Sequence, residues 1–309
     1  MNDKLRDLAA TLAQAGLPAL VNEPMARHTS FRIGGPADLW VPARRPAELR
    51  LAVEAARTQG VPLTVLGGGT NVLIADQGVR GLVITNRSAA GEPQPHSGEP
   101  TLWEADCGMP LATLARWAIA HSLAGLEWAG GIPGTLGGAV IGNAGAFGGE
   151  MAHRLREITV LEDSGETRAI PAQELDLGYR TSVLKRAARR PILLTARLTL
   201  QAGVWQELEA LAQGYAERRR ATQPPGASAG SIFRNPPQGP AGRWIDQAGL
   251  KGERIGDAVV SPLHGNYIVN AGAASAAQVK ALMDKVQESV WKRFGVLLEP
   301  EIELLGEWN

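Results

Sequence analysis

Ten of the 25 residues from Gly125 to Gly149 are glycine, and most of the others are small or apolar. Such a stretch has no amphipathic stripe with which to bury itself. A solvent-exposed linker would be polar instead. A main chain that is nearly free of side chains yet apolar must lie flat against something, and two readings are open. Either backbone packs tightly on backbone, or the stretch lines a large planar or extended ligand. The chain holds 37 glycines in 309 residues, about 12% against ~7% on average, so the excess sits where it constrains most.

A second cluster, Gly67-Gly68-Gly69-Thr70-Asn71, follows a short buried strand expected over Val61 to Leu66. Glycines at a strand end let the chain turn sharply and bring N–H groups close to anionic oxygens; Thr70 and Asn71 add side-chain hydrogen bonds. The spacing is not the dinucleotide-binding G-x-G-x-x-G with a following helix. It is not a P-loop either, since no Gly-Lys-Ser/Thr follows. Taken alone, the cluster reads first as a tight turn between two strands.

Composition removes several function classes. Lys plus Arg number 31 and Asp plus Glu 31, so there is no strong positive field for general nucleic-acid binding. The single cysteine, Cys107, excludes an internal disulfide framework and a cysteine metal cage, and reads as a small buried hydrophobe. His28, His96, His121, His153 and His264 show no metal-ligand spacing. Gly, Pro or charge interrupts every apolar run short of the ~18 residues of a membrane span. The start, Met1-Asn2-Asp3-Lys4-Leu5-Arg6, is charged with no apolar signal core behind it. The expectation is a cytoplasmic protein with no membrane, nucleic-acid or obligatory protein partner. Length suggests about two domains, at ~100–200 residues each.

Leu5, Leu8 and Leu12 predict a helix stopped by Gly16 and Pro18, and Pro46 opens a second carrying Leu49, Val53 and Ala56. Leu82 to Thr85 predicts a strand, and residues 88–100, with Pro93, Pro95 and Pro100, a surface loop. Leu111, Leu114, Ala115, Ala118 and Ile119 predict a helix. Ile158 to Val160 and Thr167 to Ile170 flank Ser164-Gly165 as a hairpin, and Ile192 to Leu200 is a strand. Trp205, Leu208, Leu211 and Tyr215 share one side of a further helix, with Trp205 and Trp291 read as packing residues. Ser275 caps a long helix closed by Gly295, and Val296 to Leu305 predicts a strand. Strands and helices mix without regular alternation, which favours an α+β fold.

Together the two glycine clusters resemble the FAD-binding domain of the vanillyl-alcohol-oxidase-like, PCMH-type flavoproteins. The chain resembles more closely the UDP-N-acetylenolpyruvoylglucosamine reductase family. The resemblance rests on His28 to Gly35, Leu66 to Leu73, Gly131 to Gly149, Tyr179-Arg180-Thr181-Ser182, Gly230 to Pro236, His264-Gly265-Asn266-Tyr267-Ile268-Val269-Asn270 and Leu298-Glu299-Pro300-Glu301, in the family's order. About fifty residues separate the Tyr-Arg and Gly-Ser motifs, as in the family's shorter form, so substrate contacts from the longer form's insert do not carry over.

The resemblance implies a two-part FAD-binding domain (1–86 and 87–203) and a smaller α+β substrate domain (204–309) whose last strand, about 296–305, returns toward the active site. It implies bound FAD, NADPH as co-substrate, a UDP-sugar substrate and a place in peptidoglycan precursor synthesis. FAD would be held by Gly67, Gly68, Gly69, Thr70, Asn71, Ile132, Pro133, Gly134, Thr135, Gly137, Gly138, Asn143 and Gly145. Adding a hydride to an enol ether puts charge on the neighbouring carbon and its carboxylate, which calls for a fixed cation and a proton donor. Arg180 matches the family's active-site arginine, Ser231 its proton donor, and Glu301 its C-terminal glutamate. Glu301 is chosen over Glu299 and Glu303 by motif position. Tyr179, Arg180 and Asn235 match substrate contacts.

Other readings stay open. A PCMH-type oxidase or dehydrogenase of an alcohol or hydroxy acid would use the same cofactor, and a non-catalytic module would bind UDP-sugars without turnover. Gly226-Ala227-Ser228-Ala229-Gly230 spells G-x-S-x-G, but a hydrolase elbow needs a strand before it and a helix after it, and prolines stand on both sides. The basic runs Lys185 to Arg190 and Arg218 to Arg220 read as phosphate attractors or as solvated faces.

Overall fold

The computed structural model describes residues 2–308. Met1 and Asn309, the outer limits of the expected domains, lie outside the described residues. The backbone divides into two compact units. One comprises Met1–Ala19, Val41–Gly68 and Val83–Arg219; the other comprises Leu20–Trp40, Gly69–Leu82 and Arg220–Asn309. The mixture of helix and strand is the α+β class expected from the sequence.

The first unit is built on an antiparallel five-stranded sheet in the order Thr167–Pro171, Leu155–Leu161, Ile192–Thr199, Glu99–Asp106, Gln94–His96. Its central strand alternates buried and half-buried residues after a wholly buried start, as a strand covered on one face requires. The outermost strand falls inside the expected loop 88–100. Pro95 hid it, because an edge strand can accommodate a residue that donates no ladder hydrogen bond. Helix Leu111–Ala120 lays Leu114 and Ala118 into a core shared with Leu136, Val140, Ile158 and Ala196.

Inside the glycine stretch the chain forms a short helix, Leu136–Ile141, which the sequence reading did not anticipate. Gly137 and Gly138 are poor helix formers, each ~1 kcal/mol worse than alanine, so periodicity gave no signal. Thr135 caps this helix by accepting a hydrogen bond from Gly138 N at 3.4 Å. Helix Trp205–Thr222 buries only Leu208. Trp205 and Leu211 of its expected packing stripe are 48% and 45% exposed, and Trp291 is 56% exposed, so neither tryptophan is the packing residue its helical context suggested.

The second unit gathers three chain segments around one core: Phe31, Ile33 and Leu73 join Ile232, Phe233, Ile245, Val260, Val279, Leu282 and Leu298. Its long helix is Ala276–Phe294. Ser275 and Gln278 form a reciprocal capping box, and Gly295 ends the helix at φ 66°, where glycine carries no Cβ penalty. Asp76 reinforces the same helix start from 200 residues upstream: its carboxylate accepts from Ala276 N at 2.8 Å and Ala277 N at 2.9 Å. The expected strand Val296 to Leu305 contracts to Glu303–Leu305, parallel to Val72–Ile74. Pro300 interrupts what precedes it.

Candidate active site

In the first unit the two glycine clusters abut. A Cβ on Gly68 would lie 2.7 Å from Gly134 Cα, and one on Gly67 would run into the Thr135 hydroxyl. The glycines of this region then divide by what surrounds them. Gly137 is pressed on Cys107, whose carbonyl accepts from Gly137 N at 2.8 Å. Gly145 faces the Gly149 carbonyl, and Gly149 the ring of the buried Trp128. For these, close packing explains the missing side chain. Gly130, Gly138 and Gly142 differ, because a Cβ there would meet nothing closer than 3.5 Å, whereas the φ of 84° at Gly148 itself calls for glycine. Bare main chain that the protein does not itself cover is what a flat ligand needs, so the residues present fit a flavin nucleotide.

Arg180 stands at the tip of a two-residue turn closed by Gly178 N to Thr181 O at 3.1 Å and Thr181 N to Gly178 O at 3.2 Å. Its φ is 56°, in the left-handed region that non-glycine residues rarely adopt. Side chains on several elements hold the turn. Asn143, fully buried, donates from Nδ2 to Gly178 O at 3.0 Å and accepts at Oδ1 from Ala152 N at 2.9 Å. Ser182 Oγ donates to Ile141 O at 2.6 Å. Arg180 Nη2 donates to Gly145 O at 2.7 Å. The amide of Asn143 is thus engaged with main chain. Tyr179 is 52% exposed beside Arg180, whose guanidinium carbon lies 5.5 Å from the Tyr179 ring. Ile132 packs on the unit's core.

In the second unit Ser231 lies on a strand-like segment held on both sides. Toward one neighbour, Ser231 bridges Tyr267, and Ile232 N donates to Asn266 O at 2.9 Å. The buried Asn266 side chain adds two bonds, accepting from Phe233 N at 2.9 Å and donating to Phe233 O at 2.8 Å. Toward the other, Phe233 bridges Pro300, Arg234 N donates to Glu299 O and Glu301 N to Ile232 O, both at 2.8 Å. Ser231 and Glu301, seventy positions apart, are thereby brought onto adjoining main-chain segments. Asn71 Nδ2 donates to Glu301 O at 3.2 Å. Gly69 is pressed on the His28 carbonyl and its own carbonyl accepts from Ser30 N at 2.9 Å. Asn235 Oδ1 accepts from Ala241 N at 2.9 Å, at the start of helix Ala241–Gln247.

The hydrolase-like Gly226 to Gly230 segment follows a helix and leads into the Ser231 bridge, not into a helix; Ser228 O accepts from Ser30 Oγ at 2.7 Å. The first basic run is largely paired: Arg186 with Asp176, and Arg189 with Asp163 at 2.7 Å. Among the described residues no group of His, Cys, Asp and Glu is placed to hold a metal, and no helix is long and apolar enough to cross a membrane. Burial drives the Cys107 thiol far above its ordinary range, so it stays protonated. Sequence reading did not single out Asn266, whose amide clamps the main chain beside Ser231. Its signal was its place inside the His264-to-Asn270 motif.

Comparison with known proteins decides the family. The chain is 41% identical over 287 residues to the UDP-N-acetylenolpyruvoylglucosamine reductase of Chloroflexus aggregans, covering 92% of this chain and 96% of that one. The chain belongs to the UDP-N-acetylenolpyruvoylglucosamine reductase family. The same-named protein of a Synechococcus species is 45% identical over 287 residues, covering 92% of each chain. The family's C-terminal domain model matches residues 222–305, and an FAD binding domain model matches 37–170, a range that contains most of the bare glycine surface. The solved structure of the family's reductase from Thermus caldophilus superposes with a TM-score of 0.77 at 34% identity, over 93% of this chain and 98% of that one. The chain is therefore an oxidoreductase of the FAD-binding α+β type.

Proposed function

We propose that this protein reduces UDP-N-acetylglucosamine enolpyruvate to UDP-N-acetylmuramate with NADPH, in peptidoglycan precursor synthesis in the cytoplasm. Residues 1–86 and 87–203 form the two parts of its FAD-binding region and 204–309 its substrate domain; the matched ranges, 37–170 and 222–305, support the boundary between the FAD-binding region and the substrate domain. In the first unit FAD would rest on the main chain of Gly67 and Gly68 and of residues 132–145. When bound, FAD supplies the hydride relay between nicotinamide and the vinyl carbon.

The chain's own residues must then manage charge and a proton. Arg180 holds the substrate carboxylate through its guanidinium, which stays charged at any physiological pH and can bond in a bidentate way. Ser231 gives the proton to the carbon next to that carboxylate. A hydroxyl is a weak acid, so the transfer works only toward a strongly basic carbon held at hydrogen-bond distance. Glu301, acting as the neutral carboxylic acid, donates a hydrogen bond to the substrate carboxylate as enolate charge develops on it. Tyr179 and Asn235 contact the sugar nucleotide.

The observation that carries this reading is the pairing of the Ser231 segment with the Glu301 segment. Ser231→Ala should leave the rate at which NADPH bleaches the yellow enzyme unchanged. The return of colour on adding the sugar nucleotide should slow by ~10²–10⁴-fold, the usual worth of a general acid. Equal loss in both half-reactions, read by stopped flow, would remove Ser231 from the proton-donor role.

A further inference from the structure

The Gly145 carbonyl that receives the Arg180 guanidinium belongs to the smallest possible hairpin: Gly145–Ala146 pairs with Gly149–Glu150 through Gly149↔Ala146 and Glu150↔Gly145. Two residues per strand do not make a hairpin that stands alone. Its base is tied by Met151 N donating to Ala144 O at 3.0 Å and Ala152 N to Asn143 Oδ1 at 2.9 Å, and its tip is gripped by aromatic rings. One arm lies on the Trp128 ring, against which Gly149 packs. The tip residue, Phe147, stacks face to face on Tyr215, with ring centroids 4.6 Å apart and planes inclined by 2°.

Phe147 is out of place by local rules. Its φ is 54°, followed by Gly148 at 84°, so it occupies the first position of a turn where Asn, Asp or Gly is preferred. A ring is kept there against backbone preference. Tyr215 is the ring of the helix's expected packing side that does pack: helix Trp205–Thr222 buries only Leu208, but Tyr215 is partly buried against the first unit's core. The same helix sets the guanidinium carbons of Arg218 and Arg219 at 5.6 and 5.7 Å from the Phe147 centroid. Arg219 also packs along Gly131, at the start of the glycine stretch.

We propose that the Phe147–Tyr215 stack is a positioning device for Arg180: by fixing the hairpin it fixes the Gly145 carbonyl, and through that carbonyl the guanidinium. Neither ring need touch substrate. The inference rests on the reading of Arg180 as the carboxylate-binding group, and its test separates the two.

Binding of UDP-N-acetylmuramate, which carries the lactyl carboxylate, is compared with that of UDP-N-acetylglucosamine, which lacks it, on the FAD-loaded enzyme by calorimetry. Tyr215→Ala should weaken the first about tenfold, the scale on which a slightly misplaced group loses its partner, and leave the second within about twofold. Phe147→Asn should do the same, although asparagine suits the turn better than phenylalanine. Tyr215→Phe, which keeps the ring, should behave as the natural protein. In an Arg180→Ala background Tyr215→Ala should cost nothing further, because the group it positions is gone. Equal weakening of both ligands, or full additivity with Arg180→Ala, would overturn the positioning role while leaving Arg180 in place. An Arg180→Ala protein that still prefers the carboxylate ligand would overturn both.

Discussion

The glycine clusters of the first unit and the Ser231 segment of the second solve the same problem in opposite ways. Each must hold a main chain in a fixed, irregular path. The first does so by omission: Gly67, Gly68, Gly137, Gly145 and Gly149 bring backbone against its neighbours because no Cβ keeps them apart. The second does so by addition: the Asn266 amide supplies Phe233 with the two bonds a neighbouring strand would otherwise provide. Asn71 does the same more sparingly at the Glu301 carbonyl. Absence of side chains is readable in a sequence. The presence of one particular amide is readable only if its partner is known.

Asn266→Ala should be the most damaging single change outside the catalytic groups. It strands the N–H and C=O of Phe233 in a buried place, for a loss of ~3 kcal/mol in urea unfolding. A loss below ~1 kcal/mol would mean that the ladder through Ile232 and Arg234 suffices without the clamp.

The glycines themselves give the next test, because the two kinds should respond oppositely. Gly68→Ala drives a methyl into Gly134 and should destabilise by ~1–3 kcal/mol whether or not FAD is bound. Gly138→Ala meets nothing closer than the Thr135 hydroxyl, at 3.7 Å, inside a helix and should stabilise the FAD-free protein by up to ~1 kcal/mol, while lowering its affinity for FAD. If Gly138→Ala bound FAD normally, the bare surface would not be the flavin's seat.

The smallest effect concerns pH. Burial, then the charge of Lys251, holds the His264 imidazole below its ordinary value of 6.5. Its Nδ1 accepts from Asn266 N at 3.2 Å, which requires the neutral ring, and the ring packs edge-on against Tyr267, the partner of Ser231. Since the folded form binds the proton less readily than the unfolded, this stabilisation is complete above pH ~6.5 and is lost as pH falls through the folded value. Unfolding free energy should therefore decline between neutral and mildly acid pH, and His264→Gln should flatten that decline. An unchanged slope would assign the decline to other groups.

What the sequence disclosed follows the same division. The helix Ala276–Phe294 was legible at both ends because its signals, Ser275 and Gly295, are local. The joint role of the two glycine clusters was legible through the family resemblance, because their composition alone left a tight turn or backbone packing open. Helix Leu136–Ile141 was hidden, since glycine pairs argue against helix and only the cap at Thr135 and the Cys107 carbonyl secure it. The Asn266 clamp and the Phe147–Tyr215 stack were hidden because each joins residues that no local spacing relates.

The carboxylate of Asp76 has a consequence for synthesis. It closes on a helix that begins 200 residues later, and the neighbouring Val72–Ile74 finds its partner strand only at Glu303–Leu305. Contacts of such sequence separation must wait for loop closure over most of the chain. A ribosome carrying this protein can release most of the first unit's chain to fold early, but the second stays an open half until residues 303–305 have been made. Its exposed apolar face during that interval is where a chaperone would find this protein.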